Sequence, residues 1–185
     1  VVDEVTKLSE NGTLEVTLLG QNVDSYGHDL LPKKDLSDLM YAIHEIKKIL
    51  RIRFLTSHPN DMSIKLIKTI RDLPKVCKFI NLPFQAGSNR ILANMRRGYT
   101  RDQFLNKAAE IRSLVPDTTL TTDLIVGFPG ETEKDFDDSI DILNRVKFDK
   151  VHVAAYSERK GTFAFRKIVD DIPKQEKRRR LNVVN

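Results

Sequence analysis

Apolar and polar positions along this chain follow two spacings, one typical of helices and one typical of strands. Residues 1–8 carry apolar side chains at helical intervals, and residues 14–19 form a β-branched run that becomes wholly apolar at its end. The alternation continues with strand patterns at residues 51–55, 78–82, 120–126 and 150–155, and with helical patterns at residues 35–49, 61–73, 88–95, 100–114, 132–146 and from Pro173 onwards. The pattern therefore predicts five strands separated by helices.

Residues that commonly cap helices stand at the starts of these helical patterns: Asp35, Asp61 or Ser63, Ser88, Thr100 and Thr132. Strands that alternate with helices at intervals of about 30 to 40 residues are typical of right-handed βαβ crossovers. The sequence thus predicts an α/β fold with a parallel sheet, either an open doubly wound sheet or part of a barrel. Five strands are too few to close an eight-stranded barrel.

Composition limits the class of protein further. Of the 185 residues, 40% are hydrophobic, which is enough for one compact domain, and no apolar run reaches the roughly 18 residues of a membrane-spanning helix. The first residues lack the basic and apolar segments of a signal peptide, so we expect a soluble, cytoplasmic protein with no membrane partner. The net charge of +5 is compatible with RNA as a partner without demonstrating one.

The single cysteine, Cys77, cannot form an internal disulfide, and one thiol cannot hold a zinc ion or an iron–sulfur cluster. Because Cys77 precedes an apolar strand, we expect a buried or half-buried structural thiol rather than a nucleophile. The sequence also lacks a nucleophile elbow, a P-loop and a metalloprotease histidine pair. Any metal is therefore expected to be held by residues outside this sequence.

Five polar loops rich in glycine or proline follow the predicted strands, at residues 20–26, 56–59, 83–88, 127–132 and 156–162. Parallel α/β folds build their ligand sites from such loops, so we expect all five to converge on one rim. For any single loop an ordinary turn is the simpler reading, and His58 alone would more often be structural than catalytic. The loops predict a ligand site at the strand ends without naming a reaction.

Taken together, the loops resemble the radical S-adenosylmethionine (SAM) methylthiotransferases over nearly the full chain. The matching segments are LLGQNV at residues 18–23, RFLTSHP at 53–59, NLPFQAGSNR at 81–90, MRRGYTR at 95–101 and TDLIVGFPGET at 122–132. The first of these is similar to the tRNA-modifying, MiaB-type members, and the last is the most specific. Tyr156 and Ser157 with Gly161 and Thr162 continue the match, although Glu158 and Phe163 stand where the family often has proline.

This resemblance implies a parallel-sheet partial (β/α) barrel of the radical SAM type, with about five strands present. It also implies SAM and 4Fe–4S clusters as cofactors, tRNA as substrate, and an electron donor such as flavodoxin or ferredoxin. The implied reaction adds a methylthio group to an isopentenylated adenosine beside the anticodon. The family's CxxxCxxC loop is expected upstream of Val1, so residues 1–185 would form a radical SAM core fragment, without the N-terminal methylthiotransferase domain and the C-terminal TRAM domain.

The resemblance, together with the loop positions, assigns candidate site residues. Those expected to contact SAM are Gln21 and Asn22 at its amino end, Gln85 and Ser88 at its ribose or carboxylate, and Asp123, Val126 and Gly127 at its adenosine, with the helix opening at Glu131 closing the adenine side. Possible contacts to substrate or carboxylate are His58, Arg97, Tyr156 and Arg159. No catalytic residue and no metal ligand is assigned within this chain.

Two alternatives to this function remain open from the sequence. One is a sibling methylthiotransferase that acts on threonylcarbamoyl-adenosine in tRNA or on a ribosomal protein. The other is a noncatalytic βα domain that binds a nucleotide-like ligand or RNA. The C-terminal basic residues Lys174, Lys177, Arg178, Arg179 and Arg180 are expected to form a solvated helix face, with contact to tRNA phosphates as the alternative.

Overall fold

The computed structural model describes residues 1–55 and 57–185, so that Thr56, in the second of the predicted ligand loops, lies outside the described residues. Eight α-helices and five strands occur in the described chain. In chain order they are α1 (Val2–Glu10), β1 (Glu15–Leu18), α2 (Leu36–His44), β2 (Arg51–Phe54), α3 (Ile64–Asp72), β3 (Phe79–Asn81), α4 (Asn89–Asn94), α5 (Arg101–Leu114), β4 (Thr119–Val126), α6 (Glu133–Val146), β5 (Lys150–Ala155), α7 (Phe163–Lys167) and α8 (Lys174–Val184).

The alternation of parallel strands and helices confirms the predicted α/β class. All five predicted strands are present, and the last has the predicted bounds. Two short elements were not predicted, a 3₁₀ turn over Val23–Ser25 and the helix α7. Both follow strand ends within loops, where a single turn leaves too short an apolar period to be recognised.

Helix starts agree with the capping residues in the sequence. Ser63, not Asp61, caps α3, because its hydroxyl accepts from the Leu66 N–H at 3.1 Å. Asp35 and Thr132 each form a reciprocal capping box with the aspartate three residues later. Such bonds satisfy N–H groups that have no partner within the helix.

Helix α2 ends earlier than expected. The apolar pattern predicted a helix through Ile49, but α2 stops at His44, and Ile49 is buried in the turn that follows. The Nζ of Lys75 donates to the backbone oxygens of His44 at 2.6 Å and of Ile46 at 2.9 Å. A side chain distant in sequence therefore satisfies the carbonyl groups at the helix end, and the chain turns toward β2.

The chain forms two compact units by its internal contacts. The first comprises Val1–Leu82 and Glu110–Leu120. In it β1 and β2 pair in parallel, with Glu15 opposite Arg51 and Leu18 opposite Phe54, and a parallel bridge joins Ile52 to Val76. Alternate residues of these strands point into the core, which α2 and α3 help to enclose. The start of β4 lies beside β3, where the Thr119 N–H donates to the Lys78 oxygen at 2.8 Å.

The second unit comprises Pro83–Ala109 and Thr121–Asn185. Here β4 and β5 pair in parallel from Thr121 opposite Lys150 to Val126 opposite Ala155. Leu124 of β4 is fully buried, and α8 packs against β5. Aromatic rings fill much of this core, with Phe84 stacked on Phe148 at 5.9 Å between ring centroids.

Candidate cofactor and substrate site

A cavity of about 560 Å³ lies in the second unit. Its lining includes the ends of β4 and β5, the turn after α4, and the loop that leads into α7. The polar and aromatic lining residues are Gln85, Asn94, Arg96, Arg97, Asp123, Phe128, His152, Tyr156, Ser157, Arg159, Thr162 and Phe163. Three of the five predicted ligand loops therefore contribute to a single cavity.

One face of the β4–β5 pair forms the floor of this cavity. Asp123 and His152 are opposite each other in the strand register, and Ile125 is opposite Ala154. These four residues line the cavity and keep part of their surface exposed, whereas Thr122 and Val126 are buried and are not part of its lining. His152 was not predicted as a site residue, although a polar side chain in the same strand phase as Asp123 could have indicated it.

Gln85 is held on β4 by its backbone. Its N–H donates to the Asp123 oxygen at 2.9 Å, and its own oxygen accepts from the Ile125 N–H at 3.0 Å. The residue has a φ of +64°, a left-handed conformation that is unusual for glutamine. Residues in such conformations concentrate at ligand sites, because a surrounding structure must impose them. The side chain is therefore presented to the cavity by a fixed backbone.

Arg97 has a buried hydrogen-bonding atom without a protein partner. Its Nε is buried and makes no hydrogen bond within the part of the chain that the structure describes, although the residue lines the cavity. Leaving a charged donor buried and unpaired is costly, and a carboxylate or phosphate is the partner that a guanidinium pairs with best. The arrangement is suited to an anionic group of a bound ligand.

The loop after β4 is fixed by a buried ion pair. Gly127 has a φ of +69°, and its N–H donates to Oε2 of Glu131 at 2.5 Å. The same oxygen accepts from Nη1 of Arg180 at 2.6 Å, and both side chains are almost fully buried. Burial raises the pKa of Glu131 above its usual range, although the bonds from Arg180 and Gly127 act to lower it. Glu131 lies before helix α6 and not at its opening, which corrects the expected start by two residues.

The C-terminal basic helix matches the expected solvated face at Lys174, Arg178 and Arg179, which are exposed, but not at its other two basic residues. Lys177 and Arg180 are buried, at 6% and 4% exposure. The stem of Lys177 packs against Gly127, and its Nζ donates to Oδ1 of Asp170 at 2.7 Å. Arg179 is exposed and paired with Glu133. Lys177 and Arg180 are thus unavailable to RNA phosphates, because they are used to join α8 to the loop after β4.

Ser88 occupies the start of α4, as expected, but its hydroxyl has protein partners. It caps the helix through the Ile91 N–H and donates to Oδ1 of Asp135 at 2.5 Å. Although partial burial acts to raise the pKa of Asp135, hydrogen bonds from Ser88, Thr132 and Arg90 hold it well below its usual range. Ser88, Val126 and Gly127 are not among the cavity lining, and Val126 accepts from the Tyr156 N–H at 2.8 Å.

The remaining candidate residues lie in the first unit. Gln21 is exposed, while the amide of Asn22 donates to Asp61 and its Oδ1 is buried without a partner among the described residues. The His58 N–H donates to the buried carboxylate of Asp24 at 3.2 Å. Asn22 also lines a separate cavity of about 860 Å³. The prediction that these residues share one rim with Gln85 involves both units and stays a prediction.

Asp24 gives the first unit an expected pH dependence. Burial raises the pKa of Asp24 to about 7, although bonds from His58 and Ser57 act to lower it. From about pH 4 to 7 the folded state would hold a proton that the unfolded state has released. The free energy of unfolding should therefore fall as pH rises, by at most about 1.4 kcal/mol per pH unit. Asp24→Asn should remove this fall.

Urea unfolding at pH 5 and pH 6.5 measures this fall. Between these two pH values the parent should lose about 2 kcal/mol more of its free energy of unfolding than the variant does. Asp29→Asn, at an exposed loop position of the same unit, provides the control. Equal pH slopes for the parent and Asp24→Asn would show that Asp24 does not titrate in this range.

The described residues offer little for an iron–sulfur cluster. Nowhere in residues 1–55 and 57–185 do three or more histidine, cysteine, aspartate or glutamate side chains form a group that could hold a metal ion. Cys77, half-buried as predicted, supplies a single thiol. Since 4Fe–4S clusters are held by several cysteine thiolates, this donor set does not fit such a cluster.

The sequence model of the family described as the Radical SAM superfamily matches residues 1–143 of this chain. The chain belongs to the radical SAM superfamily. Among solved radical SAM structures, coproporphyrinogen III oxidase (HemN) from Escherichia coli matches 99% of this chain and 43% of its own, with a TM-score of 0.72 at 17% identity. Streptococcus suis SuiB bound to S-adenosylmethionine matches 99% of this chain and 39% of its own, with a TM-score of 0.63 at 18% identity. These likenesses confirm the predicted radical SAM type of α/β fold.

Curated relatives match nearly the full chain. A tRNA-2-methylthio-N(6)-dimethylallyladenosine synthase from Dehalococcoides mccartyi (strain CBDB1) is 52% identical over 181 residues, which cover 98% of this chain and 43% of the relative. A protein of the same name from Thermoanaerobacter pseudethanolicus is 49% identical over 183 residues, 98% of this chain and 39% of the relative. The chain thus spans about two fifths of the length of these relatives.

Within the described residues, no helix is long and apolar enough to cross a membrane.

The cavity of the second unit has groups that suit SAM. A volume of about 560 Å³ lies in the range of roughly 300–1,000 Å³ that small-ligand sites occupy. The buried Nε of Arg97, which has no partner among residues 1–55 and 57–185, suits a carboxylate, and the Gln85 amide can both donate to and accept from a ribose diol. Phe128 and Tyr156 form an edge-to-face pair at 5.1 Å that gives an aromatic wall. The residues of the second unit therefore fit this cofactor.

Proposed function

We propose that the protein is a radical SAM methylthiotransferase that forms 2-methylthio-N6-dimethylallyladenosine in tRNA. The observation that carries this proposal is the identity of about 50% to synthases of that name, sustained over 98% of the chain. Fold likeness alone could not distinguish this reaction from others, because a structure named coproporphyrinogen III oxidase shares the same fold. The fit of the cavity to SAM supports the same assignment.

In this proposal the chain contributes the binding and orientation of SAM. The backbone around Asp123 would face the adenosine, the amide of Gln85 would bind the ribose or carboxylate, and Arg97 would pair with the carboxylate. When bound, SAM supplies both the methyl group and the radical chemistry of the family. Tyr156 and Arg159 would border the substrate. The protein residues hold the cofactor and exclude water from it.

Several further assignments are part of the same proposal. Gln21, Asn22 and His58 would contact SAM or substrate from the first unit. Ser88 would act through the loop geometry, because its hydroxyl already has two partners. The coverage of 43% of the relative supports residues 1–185 as radical SAM core within a longer protein, with cluster ligands elsewhere. The partners would be tRNA and an electron donor such as flavodoxin or ferredoxin, in the cytoplasm.

The test is the product made by the intact protein with SAM, a reductant and tRNA lacking the methylthio group. Nucleoside mass spectrometry should show a methylthio group gained on dimethylallyladenosine. A methylthio group gained instead on threonylcarbamoyl-adenosine or on a ribosomal protein would assign the protein to a sibling activity. SAM left unconsumed, with all substrates unchanged under conditions where a relative is active, would contradict the proposal.

We expect Gln85→Ala to weaken SAM binding. Losing one hydrogen bond to a polar or charged group costs about 1–3 kcal/mol, or roughly 5- to 150-fold in affinity. Alanine and glutamine pay a similar penalty at a φ of +64°, so the substitution itself should alter stability little. Equilibrium binding of SAM to the intact protein, alongside a thermal melt, gives the comparison.

A second substitution at the same position separates binding from folding. Gln85→Gly also removes the amide but relieves the left-handed strain, so it should raise the melting temperature while weakening SAM binding as alanine does. If both variants bind SAM as the parent does, Gln85 is only a turn residue and its assignment is wrong.

A further inference from the structure

A group of basic residues and an exposed aromatic ring border the cavity of the second unit, where the chain passes from Tyr156 into α7. We call these residues the basic rim: Arg96, Arg159, Lys160, Phe163, Arg166 and Lys167. Arg96, Arg159 and Phe163 line the cavity, and the other three lie in the same segment at exposed positions. The only acid between Tyr156 and Lys167 is Glu158.

The positive charges of the rim are not balanced by ion pairs within the described part of the chain. Among the described residues, none of the rim arginines or lysines forms an ion pair. Other cations of the second unit do, namely Arg90, Arg101, Arg145, Lys177, Arg179 and Arg180. Positive charge is therefore concentrated without compensation at the mouth of the cavity. Such a patch is complementary to a polyanion.

The aromatic ring of the rim is already arranged for stacking. The guanidinium of Arg96 lies 3.5 Å from the centroid of the Phe163 ring, and Arg96 adopts a left-handed φ of +57°. Phe163 remains 37% exposed, and Phe165, two residues further along α7, is 41% exposed. Unstacked nucleobases bind to proteins by stacking on aromatic rings and on arginine guanidinium planes. Uncompensated charge together with a presented ring favours single-stranded RNA over an acidic protein surface.

We propose that the basic rim binds the single-stranded RNA that flanks the base entering the cavity. Phosphates would pair with Arg159, Lys160, Arg166 and Lys167, while a neighbouring base stacks on the Phe163–Arg96 pair. This inference rests on the proposed function, because it takes the substrate to be RNA. It places RNA recognition within the radical SAM core itself.

Two variants should give different signatures in tRNA binding by the intact protein, measured by fluorescence anisotropy without SAM at salt concentrations from about 50 to 200 mM. Phe163→Ala should weaken binding by about 5- to 150-fold at every salt concentration, since stacking is not screened. The double variant Arg166→Gln, Lys167→Gln should reduce the slope of log affinity against log salt by about 1.4, from two lost phosphate contacts at about 0.7 each.

The controls match these changes. Phe163→Tyr keeps a ring and should restore the affinity that alanine loses. The double variant Lys134→Gln, Arg145→Gln removes the same charge from exposed positions on α6, where Arg145 is paired with Asp141, and should leave the slope near that of the parent. Equal losses from the α6 and rim variants would indicate a general charge effect and would overturn the inference.

The outcomes for the rim and for the proposed function can be told apart. If the parent adds the methylthio group to tRNA while both rim variants bind tRNA unchanged, the rim inference fails and the function stands. If tRNA binds through the rim but no methylthio product forms, the function fails and the rim stands. A parent that binds an acidic protein but no RNA would overturn both.

Discussion

Replacing Arg180 with methionine is expected to lower the free energy of unfolding by about 3–5 kcal/mol. The Arg180 side chain is 5% exposed and its partner Glu131 is fully buried. The substitution would leave the Glu131 carboxylate in the protein interior, hydrogen-bonded to the Gly127 N–H but without its cation, and such a charge is strongly disfavoured by desolvation. Methionine conserves most of the volume, so the loss would come from the charge and not from a cavity. Urea unfolding of the intact protein measures it.

The neighbouring arginine provides a matched control. Arg179 pairs with Glu133 where both side chains are about half exposed, and an exposed pair contributes at most about 1 kcal/mol. Arg179→Met should therefore have a small effect. Combining Arg180→Met with Glu131→Gln removes both charges and should recover much of the lost stability. If Arg180→Met and Arg179→Met unfold at the same urea concentration, the buried pair does not stabilise the loop after β4.

Replacing Gly87 with alanine is expected to destabilise the protein by roughly 3 kcal/mol or more. A Cβ at this position would lie 2.2 Å from the Ser139 nitrogen and 2.3 Å from the Asp138 carbonyl. These are backbone atoms of α6, which cannot rotate away as a side chain would. The Gly87 N–H also donates to the Ser139 hydroxyl at 2.8 Å, so displacement of the loop would break that bond. A thermal melt of the intact protein gives the comparison.

Gly12→Ala is the control that distinguishes a steric clash from backbone strain. It has a φ of +93°, and a Cβ there would meet nothing within 4 Å. Gly12→Ala should cost only the strain of a left-handed alanine, about 1–2 kcal/mol. Gly87→Ala should therefore melt at a lower temperature than Gly12→Ala. Equal melting temperatures would mean that the loop and α6 can separate easily, and would contradict the prediction. Because Gly87 follows Gln85 closely, we also expect weaker SAM binding in Gly87→Ala.

Local interactions account for the parts of the fold that were predicted. The caps at Asp35, Ser63 and Thr132 join a side chain to a backbone N–H three residues away, so their effect is contained in a short stretch of sequence. The alternation of strands and helices is likewise read within windows of a few residues. Among these caps, only the choice between Asp61 and Ser63 needed the structure, since either residue could cap a helix.

The candidate site was predicted in part. The family resemblance, together with the loop positions, assigned Gln85, Asp123 and Tyr156 to a ligand site, and all three line the cavity. Phe163 was missed, because nothing in its local sequence distinguishes a lining residue from an exposed one. His152 was missed although its polar side chain has the same strand phase as Asp123. Gly127 was assigned to the ligand, yet the structure shows its N–H bound to Glu131.

By itself, the sequence determined the order of the elements, most helix starts, the α/β class and the resemblance that implied SAM, because each depends on neighbours along the chain. Only the tertiary structure decided which charges are buried and paired. Arg180 reaches Glu131 across 49 residues, and Lys75 ends α2 from 31 residues away. In the sequence these residues cannot be distinguished from any solvated basic side chain. Their roles follow from desolvation, which depends on what surrounds a side chain in space and not on what precedes it in the chain.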